Sequence, residues 1–241
     1  MKVTKIMSLV LCLLFALMFS SCDDHFKVYI AKSLEGGKEF EVTLKDQFDK
    51  EPRRVMVSAI KFFANPVSKN GGKIYDRNAH LTWYRIEDPS PKRWEVKFSN
   101  QFGKQQWKLG VPVYLLVPTE KIEPGSARPK KLDHFKGYEV LSGEPLNIKV
   151  TLEDQFDKQL KQKEVAIVAK PMFFCNPVHK NNEVVNKSEN HLACYLITQS
   201  DTNFSPRDVT IRNQFGTHNL TVEKSYMLCV PTKKLSFKEI K

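Results

Sequence analysis

Four histidines recur at matching points of the chain, and each is followed four residues later by a tyrosine. The pairs are His25 with Tyr29, His80 with Tyr84, His134 with Tyr138, and His191 with Tyr195. Residues four apart on a β-strand face the same side, so each pair could form proton-transfer machinery. A catalytic site is normally needed once, however, whereas a fold-defining contact is needed in every copy. We therefore interpret these eight residues as structural residues that define a repeat.

A second recurring feature is an Asp or Asn followed by Gln and Phe, at 46–48, 100–102, 154–156 and 213–215. Asp and Asn favour the backbone of tight turns, so this feature predicts the turn of a β-hairpin. Its first residue alternates between Asp and Asn, which an essential carboxylate would not do. We therefore assign it the same structural role.

The motifs of common enzyme classes do not occur in the sequence. Its ten glycines form neither a GxGxxG nor a GxxxxGK[ST] loop, which disfavours a nucleotide enzyme. The G-x-S-x-G and H-E-x-x-H motifs are also missing. A metal site built from the later cysteines and His191 has weak support, because no CxxC or HxxxH spacing occurs. The sequence thus predicts a non-enzymatic protein with no catalytic residues, no cofactor and no metal site.

Internal similarity dominates the organisation of the chain. Residues 42–50 recur as 150–158, 62–67 as 173–178, and 100–103 as 213–216. Two tandem modules are therefore predicted, at 25–122 and 134–241. The segment between them, 123–133, contains prolines, a glycine and a serine, which suits a short, stiff linker. Because the His, Tyr and turn residues appear twice in each module, each module divides into two units.

Within each unit, apolar residues alternate with polar ones. Trp94, Val96 and Phe98 alternate with charged or polar neighbours, which is typical of half-buried antiparallel strands. Each unit is predicted to hold about three strands, too few to bury an apolar face alone. We therefore predict an all-β fold of two tandem six-stranded modules, each a sandwich or barrel. Each module is a pseudo-twofold pair of three-stranded units. The three tryptophans all fall in the first module, where we expect them to pack in the core.

Cysteine positions follow the repeat. Each unit has two slots, filled by Val28 and Ala64, Trp83 and Leu116, Gly137 and Cys175, and Cys194 and Cys229. If the two slots are neighbours on adjacent strands, Cys194–Cys229 is the natural disulfide and Cys175 is a buried free thiol. The pairings Cys175–Cys194 and Cys175–Cys229 remain open from sequence alone.

Four strings support a family resemblance. They are His-Leu-Ala-Cys-Tyr at 191–195, Asn-Gln-Phe-Gly at 213–216, Phe-Cys-Asn-Pro-Val at 174–178 and Leu-Cys-Val-Pro-Thr-Lys at 228–233. The chain resembles a secreted β-repeat domain of unknown function that occurs in bacterial and archaeal extracellular proteins, often in tandem. This resemblance implies no activity. The chain departs from the family pattern because its first module has no cysteine in these slots.

The N-terminus reads as an export signal. Lys2 and Lys5 precede an apolar stretch over 6–19, which is shorter than the roughly 20 residues that span a bilayer. Residues 19–22 resemble a bacterial lipoprotein signal, in which Cys22 becomes the lipidated first residue of the mature protein. An ordinary cleaved signal and an uncleaved anchor are the alternatives. We predict a signal peptide at 1–21, a lipid-anchor tether at 22–24, and an extracytoplasmic protein anchored to a bacterial membrane. The outer membrane or cell surface is favoured over the inner membrane.

The formal net charge of +11 could attract anionic partners such as an envelope polymer or an acidic glycan. A cationic surface without a specific partner is the favoured explanation of the charge, and the export signal disfavours nucleic acid. The sequence does not define an oligomeric state. We expect a lipid-anchored extracytoplasmic binding or structural protein of the cell envelope. The alternative is an extracytoplasmic hydrolase or processing factor with one active repeat.

Overall fold

The computed structural model describes residues 23–35, 38–198 and 200–241. This part of the chain is nearly all β, which confirms the predicted fold class. No helix within it is long and apolar enough to cross a membrane. The predicted signal peptide 1–21 and the lipid acceptor Cys22 lie outside the described residues.

The chain consists of four units, and each contains a first strand, a short second strand and a long third strand. The first unit holds β1 (His25–Ser33), β2 (Phe40–Lys45) and β3 (Arg53–Lys69), and the second holds β4 (His80–Glu87), β5 (Arg93–Asn100) and β6 (Gly103–Lys121). The third unit holds β7 (Phe135–Ser142), β8 (Ile148–Glu153), α1 (Gln155–Gln159), β9 (Glu164–Pro177) and β10 (His179–Lys180). The fourth unit holds β11 (His191–Thr198), β12 (Arg207–Asn213) and β13 (Gly216–Ile240).

The first and third strands of the four units close into one ring of eight antiparallel strands. Its order is β1, β3, β4, β6, β7, β9, β11 and β13, and β13 pairs again with β1. Each first strand pairs with the third strand of its own unit and with that of the preceding unit. The ring is therefore a closed barrel with approximate fourfold repetition.

The predicted division into two six-stranded modules is not confirmed. Strand β6 pairs with β7 across the predicted linker 123–133, and β13 pairs with β1 across the two ends of the described chain. Each separate module would have left unpaired strand edges, whereas closure of the ring pairs the edges of all four units. The sequence predicted pairs of units because a single unit would expose an apolar face. In the structure, a ring of four units buries these faces.

The short strands join units that lie opposite each other in the ring. Strand β2 pairs with β10, and β8 pairs with the end of β3, so the first and third units are linked in both directions. Strand β5 pairs with the end of β13, and β12 pairs with the end of β6, which links the second and fourth units. Each short strand also forms the predicted hairpin with the long strand of its own unit.

Three buried clusters form the core. The barrel core receives side chains from all eight ring strands and includes Phe26, Trp83, Phe135 and Met227. An eight-stranded barrel is just narrow enough for side chains to fill. The other two clusters lie outside the ring, where the short strands cover the outward faces of the ring strands. Trp94 and Trp107 belong to one of these outer clusters, so all three tryptophans are buried as expected.

Candidate functional site

The repeat tyrosines of the first and third units bind turns of the opposite unit. Tyr29 Oη donates to Asp154 Oδ2 at 2.7 Å, and Tyr138 Oη donates to Asp46 Oδ2 at 2.8 Å.

An asparagine side chain donates to each of these carboxylates as well. Asn65 Nδ2 donates to Asp154 Oδ2 at 2.8 Å, and Asn176 Nδ2 on β9 donates to Asp46 Oδ2 at 3.1 Å. These contacts are buried and reciprocal, so each of the two units clasps the other.

The second and fourth units make the same contact with amides in place of carboxylates. Asn213 Nδ2 donates to Tyr84 Oη at 2.9 Å, and Asn100 Nδ2 donates to Tyr195 Oη at 3.0 Å. A carboxylate can only accept a hydrogen bond, whereas an amide can donate one. The alternation between Asp and Asn therefore preserves the contact and adds an amide donor to it, while Tyr84 Oη also donates to Asn213 Oδ1 at 3.3 Å.

The four repeat histidines are held away from these tyrosine hydroxyls. His80 and His191 are almost fully buried, and their rings stack on Phe63 and Phe174 with centroids 5.6 and 5.7 Å apart. Burial lowers the pKa of both to about 3. The rings are therefore neutral at pH 7, and their Nδ1 atoms have no hydrogen-bond partner among the described residues.

The other two histidines contact glutamines of the recurring turns. His25 Nε2 lies 2.6 Å from the side-chain nitrogen of Gln101, and His134 Nε2 lies 2.7 Å from that of Gln214. Burial lowers the pKa of both histidines to about 4. Within the described residues, each tyrosine thus bonds to a turn of the opposite unit, and the His–Tyr spacing reflects two separate structural contacts.

The turn of the third unit differs from the sequence expectation because it forms the short helix α1. Asp154 is its N-cap and accepts from the backbone N–H groups of Phe156 and Asp157. Asp157 Oδ2 in turn accepts from the backbone N–H of Asp154 at 2.9 Å. This reciprocal capping box satisfies backbone donors that the helix itself leaves free.

Two buried lysines belong to the site and were missed by sequence reasoning. Lys27 and Lys136 each lie two residues after a repeat histidine and are 1% and 0% exposed. Lys27 Nζ lies 2.8 Å from Asp157, and Lys136 Nζ lies 2.5 Å from Asp49. One sequence feature could have identified these lysines. The residue two positions after the repeat histidine is Lys in the first and third units, whereas it is Thr82 in the second unit and Ala193 in the fourth.

Aspartates just before two repeat histidines are a second missed feature. Asp24 accepts from the backbone N–H groups of Tyr75 and Asp76 at 2.7 and 2.9 Å. Asp133 does the same for Asn186 and Lys187 at 2.7 and 2.9 Å. Each aspartate therefore fixes the long loop that follows the third strand of its own unit.

The cysteine slots face each other across neighbouring ring strands. The directly opposed pairs are Val28 with Ala64, Trp83 with Leu116, Gly137 with Cys175, and Cys194 with Cys229. The sulfur atoms of Cys194 and Cys229 are 1.92 Å apart, which is the pairing expected from adjacent slots. Cys175 is a buried free thiol, and burial raises its pKa.

A group of aromatic side chains lies at one end of the barrel core. This aromatic end consists of Phe62, Trp83, Tyr114, Phe173 and Tyr226, with neighbouring ring centroids 5.3 to 5.8 Å apart. The rings of Phe62, Tyr114 and Tyr226 are partly exposed.

A cation and a bulge shape the aromatic end. The guanidinium of Arg85 lies 5.8 Å from the centre of the Tyr114 ring. Tyr226 occupies a bulge of β13, at the register shift where Met227 opposes Val28 and Ser225 opposes Tyr29. A bulge re-aims a side chain relative to a regular strand. The aromatic end therefore places partly exposed aromatic rings, two tyrosine hydroxyls and one guanidinium together.

No cluster of three or more His, Cys, Asp or Glu side chains in the described part of the chain is arranged to hold a metal ion. The fold brings together two kinds of polar group. The first are the hydrogen bonds between each repeat tyrosine and the turn of the opposite unit, which we call the tyrosine clasps. The second are the ion pairs around Lys27 and Lys136, which we call the lysine clusters. Their contacts join opposite units and fix the positions of the turns. The arrangement is thus suited to holding the ring closed.

A family model described as a repeat of unknown function, DUF7450, matches residues 80–235. This match covers more than half of the chain and runs through the segment that joins the second and third units. No curated protein and no solved structure matches the sequence significantly. The chain therefore belongs to the DUF7450 family of repeats of unknown function.

Proposed function

We propose that this chain is a non-enzymatic, lipid-anchored extracytoplasmic protein that serves as a binding or structural element of the cell envelope. The observation that carries this proposal is the tyrosine clasp. It occurs four times, and each time a repeat tyrosine bonds to the equivalent turn of the opposite unit. A catalytic group is needed once, whereas a contact that closes a ring is needed in every unit. The recurring polar residues thus serve the scaffold, which leaves binding to its surface.

The aromatic end is the surface best suited to a ligand. Aromatic faces stack on the apolar faces of sugar rings, and tyrosine hydroxyls can hydrogen-bond to sugar hydroxyls. Arg85 adds a fixed positive charge suited to a carboxylate or phosphate group. These features favour an anionic envelope glycan or polymer over an uncharged apolar ligand.

Binding can be tested on an array that carries lipopolysaccharide, phosphate-rich wall polymers and acidic glycans. We expect Tyr114→Ala and Tyr226→Ala to weaken the affinity of the protein for the glycan that it binds on the array by about tenfold, the equivalent of about 1.4 kcal/mol. Tyr75→Ala is the matched control, because Tyr75 is 47% exposed and lies outside the aromatic end. Equal retention by all three variants would contradict a role of the aromatic end.

The anchor is tested separately by metabolic labelling with a radioactive fatty acid. The wild-type chain should incorporate the label and fractionate with membranes. Cys22→Ala should abolish both, since this residue is the proposed acceptor. Labelling that persists in Cys22→Ala would overturn the anchor.

The rival function, an extracytoplasmic hydrolase or processing factor, is tested by replacing each repeat histidine with alanine in turn. A structural role predicts loss of stability in each variant without loss of a specific turnover. A hydrolase predicts that one variant loses an activity while it remains folded. Turnover of a substrate by the mature protein would reject the non-enzymatic proposal.

A further inference from the structure

Lys27 lies in an enclosed group of acidic residues contributed by the third unit. Its Nζ is 2.8 and 2.9 Å from the two carboxylate oxygens of Asp157 and 2.5 Å from Glu164 Oε2. The three side chains are at most 1% exposed. Lysine, aspartate and glutamate are rarely buried this completely. A primary amine is thus held against a carboxyl group, with a second carboxyl group in contact with the same amine.

The charges of this group do not balance. Asp154 acts electrostatically on both Lys27 and Asp157, so three carboxyl groups act on this amine. Lys121 offsets part of the charge of Asp154. An excess of buried negative charge is costly, because a low-dielectric interior solvates it poorly. Burial and the neighbouring Asp154 raise the pKa of Asp157 to about 6. Asp157 is therefore readily protonated, and a protonated carboxyl group is the form that an amine can attack.

We propose that Lys27 and Asp157 condense into an intramolecular amide bond, with Glu164 as the catalytic residue that carries protons between them. The bond would be an isopeptide cross-link between the first strand of the first unit and the turn of the third unit. It is independent of the proposed binding function.

The reaction is balanced by the three side chains alone. Glu164 takes one proton from the Lys27 ammonium and passes it to the Asp157 carboxylate. The free electron pair on Nζ then forms a bond to Asp157 Cγ. Glu164 takes a second proton from Nζ and delivers it to a hydroxyl on Cγ, whose C–O bond breaks to release water. One N–C bond replaces one C–O bond, no oxidant is needed, and Glu164 ends as it began.

Proximity supports this chemistry. The fold holds the amine and the carboxyl group within hydrogen-bond distance, so their reaction does not pay the entropy of an encounter. Glu164 keeps its position because its Oε1 accepts from Ser225 Oγ at 2.7 Å. The other carboxylate oxygen lies 2.5 Å from Lys27 Nζ.

The second lysine cluster differs in a way that should prevent the same reaction. Asp49 Oδ2 is 2.5 Å from Lys136 Nζ, but its Oδ1 is 2.6 Å from Arg53. The nearby Asp88 is also bound by Arg53, through two contacts of 3.1 Å. Burial alone would raise the pKa of Asp49, but Lys136 and Arg53 lower it. Asp49 thus stays ionised and Asp88 stays engaged, so this pair should remain an ion pair.

The test is the mass of the purified wild-type protein after reduction of its disulfide. We expect the mature chain to weigh one water molecule less than its sequence and lipid require. Tryptic digestion should give one branched peptide that joins Lys27 to Asp157, while Lys136 and Asp49 appear in unlinked peptides. Separate Lys27 and Asp157 peptides would overturn the proposal. A branched peptide at Lys136 and Asp49 would overturn the assigned effect of Arg53.

The role of Glu164 is tested by Glu164→Gln, which keeps the amide oxygen that can accept from Ser225. This variant should fold, as judged by its circular dichroism, and should show the full sequence mass. Glu153→Gln is the matched control, because Glu153 is a carboxylate of the same unit that pairs with Lys163 instead. We expect this control to keep the cross-link. A cross-link that survives in Glu164→Gln would overturn the proton-carrying role.

Discussion

At the residue scale, the side chains that first suggest chemistry are used for contacts between opposite units. Tyr29 and Tyr138 donate to carboxylates, and Tyr84 and Tyr195 accept from amides, so the same geometry is maintained with two chemistries. The neighbouring histidines are neutral because burial lowers their pKa values. Their contribution is therefore to packing, and it should appear as a pH dependence of stability.

Acid should destabilise the protein through His80 and His191. Burial lowers the pKa of each from 6.5 to about 3, so between these pH values only the unfolded state takes up the proton. The free energy of unfolding should thus fall as the pH drops from about 6.5 towards 3, by about 1.4 kcal/mol per pH unit for each histidine. This stability is fully present above pH 6.5.

Urea unfolding across this pH range measures the slope. His191→Gln should make the slope shallower than in the wild type, whereas His179→Gln should not, because His179 is exposed. Comparison with the wild type removes the contributions of the titratable groups that the two proteins share. An unchanged slope in His191→Gln would be inconsistent with a buried neutral ring.

Sequence patterns suggest a structural role for these residues but do not identify their partners. The fourfold recurrence of His and Tyr indicated structure, and the alternation of Asp with Asn indicated that no carboxylate was essential. The partner of Tyr29 is 125 residues away in the chain, and that of Lys27 is 130 away. Burial of a lysine depends on such distant carboxylates, so local composition predicts an exposed side chain instead.

At the element scale, the slots form one layer of the barrel core. Each pair of slots is directly opposed across a first strand and a third strand, and Cys194 with Cys229 is the pair whose sulfur atoms lie at bonding distance. Cys175 faces Gly137 in the equivalent pair of the third unit. The geometry that brings two sulfur atoms together in the fourth unit should therefore be available in the third.

Gly137→Cys should form a second disulfide with Cys175. A Cβ atom at position 137 would lie 3.7 Å from Cys175 Sγ and 3.4 Å from Leu116 Cδ1, both ordinary van der Waals contacts. A disulfide of this loop size stabilises a protein by about 2–4 kcal/mol. Peptide mapping without reduction identifies the link, and urea unfolding measures the gain.

Val28→Cys is the control for this prediction, because the opposing slot holds Ala64 and offers no sulfur. It should gain no link and no comparable stability. A folded Gly137→Cys protein whose two thiols remain free would show that the slots of the third unit are not equivalent to those of the fourth.

Local elements followed from the sequence where the signal was periodic. The alternation of Trp94, Val96 and Phe98 corresponds to β5, and the Asn-Gln-Phe turn after it joins β5 to β6. The sequence does not predict the helix α1, because residues 154–156 indicate a turn. In the structure Asp154 and Asp157 form a capping box instead. Five residues are too few to produce a helical period in the sequence.

At the scale of the whole molecule, the four units form one closed ring. The repeat predicted pairs of units because one unit cannot bury its own apolar face. It could not specify which edges would meet, because the pairing of β13 with β1 joins opposite ends of the described chain and leaves no local pattern. A closed ring should behave as one cooperative unit.

Two optical probes should therefore report the same unfolding transition. The three tryptophans Trp83, Trp94 and Trp107 are buried in the second unit, so their fluorescence follows that unit. Far-ultraviolet circular dichroism follows the strands of all four units. We expect equal midpoints in urea for the two signals. Separate midpoints would indicate independent modules.

The most direct test of the central claim, that opposite units clasp each other across one ring, is a double-mutant cycle between Tyr29 and Asp154. We expect Tyr29→Phe and Asp154→Ala to show a coupling free energy of about 1 kcal/mol or more, because the two side chains share a buried hydrogen bond of 2.7 Å. Tyr29→Phe combined with Asp46→Ala should be additive, because Asp46 binds Tyr138. A coupling of zero between Tyr29 and Asp154 would contradict the clasp between the first and third units.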